Sequence, residues 1–139
     1  YPLDCCFSMF KQLFAQGQEF TYGLEEAGSY YNSYVKLMNH WDSVLPGKIL
    51  RVNNEDVVED LEGQVTNILE FLELPFEKEC ISFYETERSV RTASSEQVRK
   101  PVNKEGMGRW KPYAKYLKPL VKTLDKDLLK SEDIALIIE

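Results

Sequence analysis

One short β-favouring run, Lys-Ile-Leu-Arg-Val at residues 48–52, lies between two long segments of helical periodicity and constrains the fold most strongly. Pro46 and Gly47 precede it, and a polar Asn-Asn-Glu-Asp turn at 53–56 follows it. Because long helices flank the run on both sides, a parallel strand is its natural role. The sequence therefore predicts an α/β fold that is mostly helical, with one or two parallel strands.

Four segments place apolar residues at helical spacing, and each has a Gly or Pro near one end that can begin or stop a helix. The predicted helices cover residues 3–16, 24–44, 61–72 and 110–124. The closing segment 127–139 combines charge with an apolar Ile-Ala-Leu-Ile-Ile run, and its pattern gives no placement.

The large aromatic residues and the lone histidine are interpreted as packing residues. Trp41 and Trp110 are expected to anchor the core. A histidine is the usual general base near neutral pH, but His40 lies late in a predicted helix. That position favours a packed or capping role over a catalytic one.

Positive charge is concentrated in one part of an acidic chain. Residues 88–118 contain nine Lys or Arg and two Glu, whereas residues 1–87 contain five basic and sixteen acidic residues. A local positive field raises the concentration of a small anion, while the surrounding negative charge opposes a long polyanion such as duplex DNA. We therefore expect a nucleotide-sized phosphate ligand and no nucleic acid.

The cysteines and the hydropathy pattern indicate the environment of the chain. Cys5, Cys6 and Cys80 are odd in number and lie in apolar surroundings, which suits reduced, buried thiols and a cytoplasmic location. Their spacing resembles no zinc site, so no metal is expected. No apolar run approaches the roughly 20 residues that cross a bilayer, so no membrane span is expected. Because the chain begins at Tyr1 inside a periodic segment, we expect it to be a fragment.

Three separated segments together resemble one protein family. They are Asp-Cys-Cys-Phe-Ser-Met-Phe at 4–10, Leu-Arg-Val-Asn-Asn-Glu-Asp-Val-Val at 50–58, and the loop 91–110 with its Gln-Val-Arg-Lys-Pro-Val-Asn core and closing Gly-Arg-Trp. Their order and spacing resemble the carboxy-terminal half of P-loop sulfotransferases that use 3′-phosphoadenylyl sulfate. The bacterial members similar to tyrosylprotein sulfotransferases, often linked to upstream tetratricopeptide repeats, are the most similar.

The resemblance covers about residues 1–124 and implies what the chain is. Residues 1–139 would form a single domain, the carboxy-terminal part of a sulfotransferase domain with a partial P-loop fold. The donor would be 3′-phosphoadenylyl sulfate, and adenosine 3′,5′-bisphosphate the nucleotide product. The acceptor stays open between peptide tyrosine, carbohydrate and other hydroxyls or amines, because one fold serves them all.

The resemblance also implies a donor site. In the family an Arg and a Ser eight residues later grip the 3′-phosphate; Ser8 matches the Ser, and the Arg position falls immediately before Tyr1. A Ser near a helix start would act beside the helix dipole and the free backbone amides. Loop residues would wrap the adenosine and the 3′-phosphate, and Arg109 would close on phosphate. The implied donor-binding residues are Ser8, Asn54, Ser94, Ser95, Gln97, Val98, Arg99, Lys100, Asn103 and Arg109.

The sequence departs from the family pattern in two ways. Asn54 stands where the family usually has a Tyr near the adenine, and stacking of an aromatic ring on a base contributes about 1–3 kcal/mol elsewhere. Glu55 and Asp56 match the family's acidic pair, for which a structural capping role is expected. The loop that cradles the 5′-phosphosulfate and the acceptor-side base cannot be found in these residues. No catalytic residue is therefore assigned, and the chain alone is expected to be inactive.

Two other classes of function remain open. A non-catalytic helical interaction module would use the tyrosine face of residues 24–44 to bind a partner, and no nucleotide would raise its melting temperature. An RNA-binding segment would use the positive loop with Tyr113 and Tyr116, and its affinity would fall steeply with salt. The acidic first 87 residues argue against the RNA alternative.

Overall fold

The computed structural model describes residues 1–14, 16–86, 89, 95 and 97–138. The chain divides into two compact units. The first unit comprises Tyr1–Ile49 and Gly106–Glu139, and the second comprises Leu50–Glu105. The prediction that residues 1–139 are the carboxy-terminal part of one sulfotransferase domain stays a prediction.

Helices make up the regular structure of the described residues. The α-helices are α1 (Pro2–Lys11), α2 (Leu24–Val44), α3 (Asn54–Glu59), α4 (Leu61–Phe71), α5 (Lys118–Thr123) and α6 (Ser131–Ile138). The 3₁₀ turns are Glu19–Tyr22, Lys78–Cys80, Phe83–Glu85, Gln97–Arg99, Lys104–Gly106, Lys111–Tyr116 and Lys126–Leu128. Among these helices none joins the length of a membrane span to the required hydropathy. The bounds predicted for α2 are confirmed, α4 ends one residue early, and α1 ends at Lys11 rather than at residue 16.

The prediction of parallel strands in an α/β, partial P-loop fold is wrong. No strand is present in residues 1–14, 16–86, 89, 95 and 97–138. A strand must pair its backbone N–H and C=O groups with a neighbouring strand, and the described residues supply no such neighbour. The 48–52 run is instead an irregular connection with Leu50 and Val52 exposed, which leads to Asn53, the N-cap of α3.

The core of the first unit forms where α1, α2 and α5 pack together. Pro2 fits the first turn of α1 because its missing N–H has no partner there. A Cβ on Gly28 of α2 would lie 3.2 Å from Leu120 Cδ1, so a glycine at this position lets α2 and α5 approach closely. The buried apolar residues of this core are Leu3, Cys6, Phe7, Ala27, Trp110, Ala114, Leu117, Leu120, Val121, Leu124 and Ile137.

One amide side chain fastens α2 to the end of α5. Asn32 Nδ2 donates to the carbonyl of Thr123 at 2.8 Å, and the backbone N–H of Asp125 donates to Asn32 Oδ1 at 3.1 Å. The last carbonyls of a helix lack partners within the helix, so a donor at this position caps α5. Both polar ends of the Asn32 amide are thereby used to hold the two helices together.

The closing segment, which the sequence did not place, is fixed by the first residue. Tyr1 Oη donates to Asp133 Oδ2 of α6 at 2.7 Å and accepts from the backbone N–H of Lys130 at 3.1 Å. Burial raises the pKa of Tyr1 to about 12, and the Asp133 carboxylate raises it as well. Ile137 then completes the core from α6 with 3% of its surface exposed.

The second unit is more thinly packed. None of its described residues between Leu50 and Glu105 is fully buried. Leu61, Val65 and Ile68 form a half-buried stripe on α4, and Asp60 Oδ1 caps that helix by accepting from the N–H of Gly63 at 3.0 Å. Because buried apolar surface supplies most of the stability of a folded chain, the first unit is the stable part of this molecule.

Of Trp110, Trp41 and His40, only Trp110 is packed in the core. Trp110 is 1% exposed and anchors the core, as predicted, whereas Trp41 is 38% exposed on α2. His40 is exposed as well, so its predicted packed role is wrong. Both residues belong to the carboxy-terminal half of α2, where no other described element buries the helix face that carries them.

The cysteines also differ from one another. Cys6 is fully buried, with its Sγ 3.9 Å from the carbonyl of Ala27, but Cys5 and Cys80 are exposed. Burial, with a smaller contribution from the adjacent Cys5, raises the pKa of Cys6 to about 12. The prediction of buried thiols is therefore confirmed for Cys6 alone.

Candidate functional site

A tight turn fixes Arg109 on the surface of the first unit. Gly108 has φ +68°, a conformation that residues with a Cβ rarely adopt, and its carbonyl accepts from the N–H of Lys111 at 3.1 Å. Trp110, two residues after Gly108, is buried in the core. Arg109 lies between these two fixed residues and is exposed, so its backbone is held at a defined point of the unit.

Helix α1 contacts the turn Lys111–Tyr116 through Phe7, the residue before Ser8. The ring of Phe7 lies 5.0 Å from the ring of Tyr113, and Lys11 Nζ lies 5.2 Å from the Phe7 centroid. Ser8 is exposed, and Lys11 lies one turn further along α1 on the same side. Lys11 is thus a cation that the sequence reasoning missed, although its spacing of three from Ser8 in a helix could have indicated it.

Ser8 itself does not lie at the start of its helix. Helix α1 begins at Pro2, so the first turn and its unpaired amides end before Ser8. The expectation that the helix dipole and open backbone N–H groups act at this serine is therefore wrong. Ser8 can contribute its hydroxyl, beside the ammonium group of Lys11.

In the second unit the described loop residues form a 3₁₀ turn that is tied back to an earlier turn. Arg99 Nη1 donates to the carbonyl of Thr86, which follows the turn Phe83–Glu85. Lys100 is exposed, and Ser95 and Val98 are half-buried. Arg99 therefore has a structural contact in addition to the phosphate contact predicted for it, whereas Lys100 presents its ammonium group to solvent.

The side chain of Asn103 forms hydrogen bonds with backbone groups of neighbouring residues. Its Oδ1 accepts from the N–H of Glu105 at 2.9 Å, and its Nδ2 donates to the carbonyl of Pro101 at 3.4 Å. Asparagine commonly stabilises turns in this way. The side chain shapes the loop, which is a different role from the donor contact that was predicted.

The remaining predicted residues have less described structure. Asn54 is exposed at the first position of α3, where the preceding Asn53 donates from Nδ2 to Asp56 Oδ2 at 2.9 Å. Asp56 thus takes the structural role expected for the acidic pair. Ser94 lies outside the described residues, and of Gln97 only the backbone in the turn Gln97–Arg99 is described.

The predicted donor-binding residues fall in both units. Ser8 and Arg109 belong to the first unit, while Asn54, Ser95 and the loop residues from Val98 to Asn103 belong to the second. Each unit presents exposed cations: Lys11, Arg109 and Lys111 in the first, Arg99 and Lys100 in the second. Guanidinium and ammonium groups with a nearby hydroxyl are donors suited to phosphate oxygens. In the part of the chain that the structure describes, no cluster of His, Cys, Asp or Glu is placed to bind a metal.

Exposed cations on helical units are compatible with an anionic ligand, and comparison with known proteins gives the family of the chain. The family model described as "Sulfotransferase family" matches residues 1–78, more than half of the chain. This chain belongs to the sulfotransferase family. The matched residues include Ser8 and Asn54, whereas the cationic loop lies beyond them.

A curated relative extends the similarity across the loop. An uncharacterized protein of Aquifex aeolicus (strain VF5) is 34% identical over 134 residues, which cover 94% of this chain and 18% of the relative. The chain thus spans less than a fifth of the length of the curated relative it matches. The family membership is shown, and it brings a nucleotide donor and an acceptor as the family's general requirements. The predicted link to tetratricopeptide repeats stays a prediction.

Proposed function

We propose that this chain binds the adenosine and 3′-phosphate end of 3′-phosphoadenylyl sulfate within a sulfotransferase that transfers the sulfuryl group to a hydroxyl or amine. The observation that carries the proposal is the fixed position of Arg109. It is exposed between the Gly108 turn and the buried Trp110, in the unit that also exposes Ser8 and Lys11. Because the backbone on both sides of Arg109 is already ordered, phosphate binding would have to order only its side chain, which favours affinity.

The second unit adds to the proposal through Lys100. Its ammonium group is exposed beside the turn Gln97–Arg99, which the contact of Arg99 with Thr86 ties back to the earlier turn. Pro101 limits the freedom of the same segment further. Lys100 would neutralise charge on the phosphate of the donor, and Asn54 of the same unit would lie toward the adenine.

The chemical contribution of these residues is positioning. By analogy with phosphoryl transfer, a sulfuryl group moves between oxygens under control of alignment and charge neutralisation. The donor residues of this chain hold the nucleotide end of the donor in place and carry no acid–base step. The exposed thiols of Cys5 and Cys80 support a reducing, cytoplasmic location for the protein.

Replacing Arg109 or Lys100 with alanine should weaken binding of adenosine 3′,5′-bisphosphate. A hydrogen bond between charged groups is worth about 1.5–3 kcal/mol, so each change should raise Kd about tenfold to a hundredfold. Isothermal titration calorimetry with this bisphosphate measures the effect directly. Single replacement of Lys100 is the cleaner probe of the loop, because replacing Arg99 would also release the carbonyl of Thr86.

Lys122→Ala is the matched control for the binding experiment. Lys122 is an exposed lysine of α5 outside the proposed site, so this variant removes the same charge and should leave Kd unchanged within twofold. If Lys122→Ala weakened binding equally, the rise in Kd would come from the change in net charge and not from a specific contact. A loss of affinity with Arg109→Ala but none with Lys100→Ala would remove Lys100 from the donor site.

The chain by itself should not turn over. Neither a glycine-rich loop for the 5′-phosphosulfate nor an acceptor-side base is found in its sequence. Transfer of labelled sulfate from 3′-phosphoadenylyl sulfate to tyrosine peptides, oligosaccharides and small phenols should stay at the level of a blank reaction. Turnover with any of these acceptors would show that the missing groups are supplied by residues to which no role is assigned here.

The alternative of a non-catalytic interaction module has one specific observation in its favour, the exposed tyrosines of α2. Tyr30 and Tyr34 are 53% and 50% exposed. The nucleotide decides between the two functions. If adenosine 3′,5′-bisphosphate raises the melting temperature, the donor-binding function is supported; if it has no effect at saturating concentration, the interaction module is the better description.

A further inference from the structure

Helix α2 exposes a continuous apolar stripe along its length. Its residues are spaced four, three, four and three positions apart, which keeps them on one side of a helix. They are Tyr30, Tyr34, Leu37, Trp41 and Val44, with exposed fractions of 53%, 50%, 46%, 38% and 54%. The contacts of α2 with α5 lie on another side of the helix, at Gly28 and Asn32. The stripe is therefore a second apolar face, separate from the one that folds the first unit.

This spacing is that of the seam between two paired helices. In a coiled coil, residues alternating at intervals of three and four form the contact with the partner helix. We infer that α2 pairs with α2 of a second copy of this chain in an antiparallel, two-fold symmetric dimer. This inference is independent of the nucleotide-binding function.

The antiparallel direction follows from charge. Glu25 and Glu26 lie in the first turn of α2, and Lys48 is held against its last turn because the Lys48 N–H donates to the carbonyl of Leu45 at 3.1 Å. A parallel pair would bring the glutamates of both copies together. An antiparallel pair places Lys48 of each copy beside the glutamates of the other and also opposes the helix dipoles.

The stripe and the charges together select a register. If the two-fold axis passes between Tyr34 and Leu37, Tyr34 of one copy lies opposite Leu37 of the other, and Tyr30 lies opposite Trp41. This register pairs four of the five stripe residues and, of the registers that do so, brings Lys48 of each copy nearest to the glutamates of the other. A symmetric contact of this kind uses the same patch twice and closes on itself, so it gives a dimer and no filament.

A groove beside Tyr30 fits the residue that this register brings to it. The groove has a volume of about 490 Å³ and is lined by Phe20, Glu25, Glu26, Ser29, Tyr30 and Ser33. Its aromatic part is formed by Phe20 and Tyr30, whose rings stack with centroids 3.9 Å apart. Trp41 of the second copy would pack on these rings, and Lys48 of that copy would reach the two carboxylates.

The area of the stripe is sufficient for a dimer of moderate affinity. Aromatic side chains bury about 150–250 Å² each, so five half-exposed residues offer on the order of 500 Å² per chain. Two copies would bury about 1,000 Å² in all, at the lower end of specific interfaces. The dimer should therefore dissociate on dilution.

Sedimentation velocity of the 139-residue chain over a concentration series tests the dimer. The mass should rise from 16.2 kDa toward twice that value as concentration increases. Leu37→Glu places two carboxylates at the two-fold axis and should raise the dimer dissociation constant at least a hundredfold. Leu136→Glu is the matched control, because Leu136 is 55% exposed on α6 outside the stripe and should leave the dimer intact.

A charge exchange tests the antiparallel arrangement. Glu25→Lys with Glu26→Lys should weaken the dimer, and so should Lys48→Glu alone, while the three changes together should restore it. Circular dichroism checks that each variant keeps its helix content.

A single species of 16.2 kDa at every concentration would overturn the dimer. Failure of the combined variant to recover would overturn the antiparallel register, and retention of the dimer by Leu37→Glu would overturn the seam.

Discussion

Replacing Trp110 with alanine should lower the free energy of unfolding by about 3–5 kcal/mol, the cost of deleting a large aromatic side chain from a core. Trp110 is 1% exposed and belongs to the cluster that α1, α2 and α5 form. Domains of this size are stable by about 5–15 kcal/mol, so the loss is a large share of the total. Arg109 should lose its fixed position as well, so nucleotide affinity should fall together with stability.

Trp41→Ala is the matched control for this experiment, since it deletes the same side chain from a position that is 38% exposed. Its cost should stay within about 1 kcal/mol, because surface substitutions rarely change stability more. Both variants are best compared in the Leu37→Glu background, where self-association through α2 does not contribute. Urea denaturation followed by far-UV circular dichroism gives the free energies without depending on tryptophan fluorescence. Equal losses for the two variants would mean that the assignment of the core is wrong.

Local signals predicted α2 best. Its bounds follow from its apolar periodicity and from the Pro46-Gly47 pair that follows it. The helix predicted over residues 110–124 is instead divided into the 3₁₀ turn Lys111–Tyr116 and α5. The strand at 48–52 failed for the opposite reason, because a strand exists only if another segment pairs with it, and five residues carry no information about that segment. The placement of α6 was equally inaccessible, since it depends on a hydrogen bond from Tyr1 to Asp133 across the whole sequence.

The two tryptophans also show that local signals do not specify long-range packing. Both have the composition and helical setting of a core residue, yet Trp110 is buried and Trp41 is exposed. The difference lies in what packs against each helix face, which sequence periodicity does not specify. On α2 the core side is marked by the small residues Ala27 and Gly28, and the larger aromatic residues lie on the other side.

For the candidate site, the sequence predicted residue types better than roles. The exposed cations Lys100 and Arg109 are consistent with the predicted chemistry. The contact of Arg99 with Thr86 and the turn stabilised by Asn103 could not be predicted, because they depend on backbone geometry within the loop. Lys11 was not among the predicted site residues, although it lies one helical turn from Ser8 in α1.

The stability of the chain should fall as pH rises above 9, and Cys6 should be a principal cause. Burial, with a smaller contribution from the neighbouring Cys5, raises the pKa of this thiol from its ordinary 9.0 to about 12. Between these values the unfolded chain releases a proton that the folded chain retains. Because the folded state binds more protons in this window, the free energy of unfolding falls with rising pH, by up to about 1.4 kcal/mol per pH unit.

Denaturation by urea at several pH values from 8 to 10 measures this slope. Tyr1, whose pKa is raised to about 12 from 10.0, adds to the slope near pH 10, so the difference between the parent chain and Cys6→Ala isolates the thiol. Cys6→Ala should be less stable at pH 8 because of the cavity, but its stability should vary much less with pH. Cys80→Ala removes an exposed thiol and should keep the slope of the parent chain. The same slope in Cys6→Ala and in the parent would mean that another group loses its proton on unfolding, and that the thiol of Cys6 is not responsible.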